Sequence, residues 1–180
     1  MRKIYGLALV AAAALSLAAC SNSSNTASSA DNGSTEAGAS EAASEGGSAN
    51  PDLETITIGS TGPLTGGAAS YGISVKQGAE IAIEEINNAG GVKVGDKSYN
   101  LALQFEDDEA DEEKARTAYS TLMDKKVDVI MGAVTSGSSL AITDLTKADN
   151  ILQLTPSGSA AAITANDNVF RLCFTDPIQG

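Results

Sequence analysis

Histidine and tryptophan are absent from this chain. Without histidine the commonest general base and the commonest metal ligand are both missing, so a hydrolytic triad or a histidine-built metal centre lacks its central residue. A Gly-x-Ser-x-Gly nucleophile elbow cannot be completed for the same reason. Basic residues are scarce as well: 11 Lys and Arg face 23 Asp and Glu, a formal net charge of -12. No basic stripe exists to displace counterions from a nucleic-acid backbone. Cysteine occurs only at positions 20 and 173. A membrane span is lacking too, since the apolar run from Leu7 to Leu17 is too short to cross a bilayer. These absences point away from an enzyme and from any cofactor or metal, and toward a protein that binds something small.

What is present begins with the amino terminus. Arg2 and Lys3 precede the apolar run, and Leu17-Ala18-Ala19-Cys20 closes it with small residues before a cysteine. This is the lipobox pattern of a bacterial lipoprotein signal. Residues 1–19 are expected to be removed, leaving Cys20 as an acylated amino terminus that ties the protein to the extracytoplasmic face of a membrane. From Ser21 to Asn50 the chain is almost entirely Ser, Asn, Ala, Gly, Thr and acidic residues. Such a segment cannot bury enough surface to offset its conformational entropy, so 20–52 reads as a lipidated cysteine followed by a disordered tether. Cys173, left without a partner, reads as a small core residue, and no disulfide is expected.

From residue 53 onward the pattern is that of a globular α/β lobe. Thr55–Gly59 predicts a strand, followed by a Gly/Pro/Ser-rich loop over 60–70. Val75, Ala79, Ala82, Ile83 and Ile86 form one stripe of a helix over 71–89, stopped by Gly90-Gly91. Tyr99–Phe105 predicts a second strand. Asp111 is placed as the N-cap of a helix with Ala115, Ala118, Tyr119 and Leu122 inside, with Glu112 and Arg116 as an i,i+4 pair. Val127–Met131, Ile151–Leu154 and Val169–Leu172 predict three more strands, with a helix over 138–149 between the first two. Strands alternating with helices require parallel crossovers, hence an open parallel sheet with helices on both faces.

In such a sheet ligands sit beyond the carboxyl ends of the strands. Three loops rich in Ser, Thr and Gly fall there, at 60–70, 133–138 and 156–160, and form a cup of hydroxyl and N–H donors suited to a small anion such as a carboxylate. Gly62-Pro-Leu-Thr-Gly-Gly67 has P-loop spacing, but Ala68 and Ala69 stand where Lys and Ser/Thr are needed. Asp107, Glu109 and Asp111 alternate like an EF-hand, yet Glu112 replaces its glycine and Ala118 its last glutamate; they read as a solvated strand end and helix start. Tyr71 opens the first helix, and either packs on its own loop or forms an aromatic wall of the cup.

At these loops the chain resembles the extracytoplasmic solute-binding proteins of ABC importers, in particular the branched-chain amino acid (Leu/Ile/Val) binding family. The resemblance is carried by I-G-S-T-G-P-L-T-G-G-A-A-S-Y-G at 58–72, A-I-E-E-I-N-N-A-G-G-V at 82–92, G-A-V-T-S-G-S-S at 132–139, T-P-S-G-S at 155–159 and the F-R and D-x-x-Q-G elements of 170–180. It implies a periplasmic-binding-protein type I lobe. Residues 53–173 would be an incomplete first lobe, 174–180 the start of a hinge crossover, and a second lobe would be missing from a chain about half the family's length.

The resemblance further implies that Ser136 binds a ligand carboxylate through hydroxyl and N–H. Ser157 would offer main-chain groups, Ser159 hydroxyl and N–H, and Tyr71 would line the side-chain pocket. The implied function is capture of a branched-chain or other hydrophobic amino acid for delivery to ABC permease subunits. Amides, urea or an aromatic acid are the alternative ligands, and the same fold also serves as a sensing domain of receptors. A cysteine pair used by some members would fall at Ala110 and Thr135 and is not present.

Overall fold

The computed structural model describes residues 49–178. The expectations for residues 1–19, for Cys20 and for nearly all of the tether lie outside them. Among the described residues, contacts to the lobe are made slightly upstream of residue 53: Asn50 N–H donates to Asn100 Oδ1 (3.1 Å), and Asn100 Nδ2 returns a bond to Asn50 O (2.8 Å).

Strand β1 (Thr55–Gly62) is followed by helix α1 (Ala69–Asn88), strands β2 (Val92–Val94) and β3 (Lys97–Asp107), and helix α2 (Glu112–Asp124). Then come β4 (Val129–Met131), α3 (Ser136–Ala148), β5 (Gln153–Thr155) and β6 (Val169–Arg171). Short 3-10 turns occupy Ala161–Ala165 and Asp176–Ile178. One six-stranded sheet has the order β2-β3-β1-β4-β5-β6, parallel except for the antiparallel pair of β2 with β3. The β2–β3 hairpin departs from the all-crossover expectation. It turns on Gly95-Asp96, where Gly95 sits at φ 61°, a conformation that suits glycine in a two-residue hairpin loop.

The winding runs from β1 outward to β3, then reverses across β1 to β4 and onward to β5. Right-handed crossovers therefore put α1 on one face and α2 with α3 on the other. The second face holds the main core: Ala115, Tyr119 and Leu122 of α2 meet Val127, Ile130, Ala133 and Ile142 of α3. All four residues assigned to the inside of α2 are buried, and Asp111 caps it as expected, accepting from the N–H groups of Glu113 and Lys114 at 2.9 Å each. Arg116 pairs with Glu113 at 2.7 Å, one residue nearer than the expected Glu112, whose backbone oxygen it reaches instead.

The α1 face is covered thinly. Of the predicted stripe only Ile83 is buried, while Ile86 and Ala82 are exposed. Asn87 compensates in part: its amide bonds both the N–H (2.8 Å) and the C=O (2.9 Å) of Leu101, standing in for a neighbouring strand. Further along, Leu152, Phe170, Leu172, Phe174 and Ile178 are exposed. Cover on both faces is thus complete for α2 and α3 and partial opposite them. Cys173 is half-buried, not a core residue, with its thiol directed at Gly158 O (3.4 Å).

Candidate functional site

The reversal of winding between β1 and β4 creates a switch point, the place where an open parallel sheet leaves a crevice beyond its strand ends. Three loops converge there, after β1, β4 and β5, and each is fixed from beneath by side chains.

Asp107 at the end of β3 accepts from Leu64 N–H (2.8 Å), Thr65 Oγ1 (2.6 Å) and Glu109 N–H (2.9 Å), so it holds the glycine loop rather than standing free in solvent as expected. Burial raises its carboxyl, but the Thr65 hydroxyl and the N–H donors outweigh this and hold it below the usual aspartate value. Its neighbour Asp108 is fully buried and accepts from Thr61 Oγ1 (3.0 Å) and Ala110 N–H (2.9 Å). Burial pushes this carboxyl up, and the Asp107 charge adds to the rise against the pull of those donors and the Ser138 hydroxyl.

The carbonyls of residues 132–134 are all occupied. Gln153 Nε2 donates to Gly132 O (3.0 Å), Ser139 Oγ and Thr155 Oγ1 donate to Ala133 O (2.8 and 3.0 Å), and Ser157 Oγ donates to Val134 O (2.6 Å). Ser157 thus spends its hydroxyl on the scaffold, which leaves main-chain groups for any ligand. Gly158 N–H closes on Thr155 Oγ1 (3.0 Å), and a Cβ at Gly158 would collide with Thr155 and Ile163, so the tight turn requires glycine.

Donors, by contrast, are left over. The first bond of α3 runs from Ser139 N–H to Thr135 O (2.9 Å), so Ser136, Gly137 and Ser138 have no intrahelical acceptor for their N–H groups. Thr135 stands at the N-cap without capping, and its buried hydroxyl has no partner among the described residues. Facing this helix start, Ser159 N–H (3.2 Å) and Ala160 N–H (3.3 Å) both donate to Ser136 Oγ. Unsatisfied N–H groups at a positive helix end, flanked by two converging amides, make a receptor for an anion.

The structure therefore brings Ser136, Ser157 and Ser159 together through hydrogen bonds spanning two loops. Tyr71 lies apart from that network, in the first turn of α1, with 70% of its surface exposed, so it does not pack down on its own loop. Gly72 next to it packs so closely on Pro63 that no Cβ fits, which fixes where α1 starts and where Tyr71 stands. Asp108 is a support of the site that the sequence pattern does not mark, and Arg171 is marked only as part of the F-R element, without a role. Among the described residues no group of His, Cys, Asp and Glu is arranged to hold a metal ion, and no helix is long and apolar enough to cross a membrane.

Comparison with known proteins agrees with this fold. Residues 55–180 match the family described as periplasmic binding protein. A Leu/Ile/Val-binding protein homolog from Brucella melitensis is 37% identical over 126 residues, covering 69% of this chain and 33% of that protein. The branched-chain amino acid substrate-binding protein LivJ of Streptococcus pneumoniae, solved with isoleucine, superposes with a TM-score of 0.63 at 27% identity over 68% of this chain and 35% of its own. A solute-binding protein from R. palustris, solved with benzoate, does so at 0.58 and 30% identity over 67% and 33%. The chain spans about a third of the length of these relatives.

Proposed function

Because this chain belongs to the periplasmic binding protein family, we propose that it is part of the extracytoplasmic substrate-binding component of an ABC importer and holds the carboxylate of a small amino acid, branched-chain or hydrophobic, for delivery to permease subunits. The observation that carries this reading is the uncapped start of α3 with the Ser159 and Ala160 amides turned toward it. An entering carboxylate takes those two N–H groups and the free ones of Ser136–Ser138, with the Ser136 hydroxyl turning to donate. In this reading Tyr71, exposed in the first turn of α1, is assigned to the wall around the ligand's side chain, and this lobe supplies one side of an inter-lobe cleft. Cys20 carries the lipid that keeps the protein at the membrane.

The benzoate complex of the R. palustris protein supports a second reading, an aromatic acid, because the carboxylate anchor would be the same. Calorimetry with isoleucine, leucine, valine, benzoate and urea separates the two. Binding of aliphatic amino acids alone supports the first, benzoate alone the second, and urea alone removes the carboxylate anchor. Mass spectrometry of membrane-extracted protein tests the anchor, with a diacylglycerol-bearing Cys20 expected and a soluble form cut downstream of it counting against the lipid.

A further inference from the structure

We propose that Arg171 is the positioning residue of the anion cradle: from behind the loop after β5 it gathers that loop's carbonyls and so aims its N–H groups at the ligand. This rests on the carboxylate-binding reading and adds to it a residue that does not touch the ligand.

In a trans peptide the C=O and N–H of one unit point in opposite directions. The unit joining Gly158 and Ser159 therefore presents Ser159 N–H to one side only if Gly158 O is held on the other. Arg171 Nη1 does this, donating to Gly158 O at 3.2 Å, and it also donates to Ala160 O at 2.8 Å. Between them, Asp176 N–H donates to Ser159 O at 3.1 Å, which turns Ala160 N–H the opposite way. Three successive carbonyls are thus drawn toward β6 and the segment after it. The two amides left on the far side are those that meet Ser136 Oγ. Arg171 Nη2 also donates to Thr164 Oγ1 at 3.0 Å, so the guanidinium fork is engaged at both ends, a geometry that lysine cannot reproduce. Among the described residues no carboxylate pairs with Arg171. Its charge acts through the peptides it holds, adding positive potential behind the cradle.

The test follows backbone amides by NMR in the 15N-labelled chain, first without ligand and then titrated at pH 6 with isoleucine and with isoleucinamide. The two differ in the carboxylate. In Arg171→Met the ligand-free amide signals of Ser159 and Ala160 are expected to move, and their exchange with water to quicken by about tenfold or more. The preference for isoleucine over isoleucinamide, about fivefold in wild type for screened bonds to a charged group, is expected to disappear. Arg171→Lys falls between, and carries the same readouts if the methionine variant does not fold. Unmoved Ser159 and Ala160 amides overturn the proposal. So does an equal loss of affinity for both compounds, which is what a merely structural role predicts. If the wild-type chain binds neither compound while Arg171→Met still loosens the two amides, the carboxylate-binding reading fails and the hold of Arg171 on the cradle stands.

Discussion

Ser136 occupies an unusual position for a ligand-binding hydroxyl, because its oxygen accepts two backbone N–H groups from the facing loop. Replacing it with alanine removes a hydrogen bond to the incoming carboxylate and also releases the loop across from it. In a protein with both lobes, Ser136→Ala and Ser159→Ala are each expected to weaken binding of a carboxylate ligand by roughly 1.5 to 3 kcal/mol, and unchanged calorimetric affinity in both would remove them from the site. Tyr71→Ala is expected to change the ranking among ligand side chains, whereas a uniform loss would count against a wall.

Asp108 predicts a pH effect. Its native carboxyl lies above the ordinary aspartate value, so the folded state binds more protons than the unfolded state in the window between the two. Its contribution to stability is therefore favourable in acid and is lost as pH rises from about 3.9 through the raised native value. Asp107, shifted the other way, loses its contribution as pH falls below the ordinary value. Asp108→Asn is expected to lie within about 1 kcal/mol of wild type at pH 7 and to lack the decline across that window. Identical stability profiles for the two proteins would show that Asp108 does not titrate there. The serines were legible in the sequence because loops of Ser, Gly and Thr follow strands. Asp108 was not, because Thr61 lies 47 residues away and nothing local marks the partner, and for Arg171 the F-R element was legible but not the carbonyls it holds.

At the scale of elements, α2 was the most readable. Its cap, its buried stripe and its acidic first turn all follow from local pattern, and Asp111→Ala is expected to cost about 1 kcal/mol, since two N–H groups lose their acceptor. Denaturant titration measures this, and a change below a few tenths of a kcal/mol would mean that the cap contributes little. The hairpin was missed although its turn signal was present. Val92–Val94 is only three residues long and holds one charged residue, too short for an alternation to stand out. Helix α1 misled in the other direction. Its periodic stripe was legible, but periodicity states which residues share a face and not whether anything lies against that face. The reversal of strand order that creates the switch point has no local signature at all; it follows from α1 crossing one way and α2 the other.

The whole lobe presents its donors along one edge, open to water. A small ligand in a closed site buries about 70 to 90% of its surface, whereas this chain offers a single wall. Charge-assisted bonds at such a wall are screened, so the chain alone is expected to bind isoleucine no more tightly than about 1 mM, near -4 kcal/mol. Sub-micromolar calorimetric binding would show that the cleft is complete within these residues. The amide pair between Asn50 and Asn100 fixes where the chain enters the sheet. It knots the incoming chain to the start of β3, while Asp107 at the other end of that strand supports the mouth. Seven residue steps of strand separate the two, on the order of 20 Å, so the chain enters at the pole opposite the loop that Asp107 holds. An entry point at that pole lies clear of the donor-bearing edge, so a change at Asn50 or Asn100 acts on the foot of the sheet and not on the loops that carry the N–H groups.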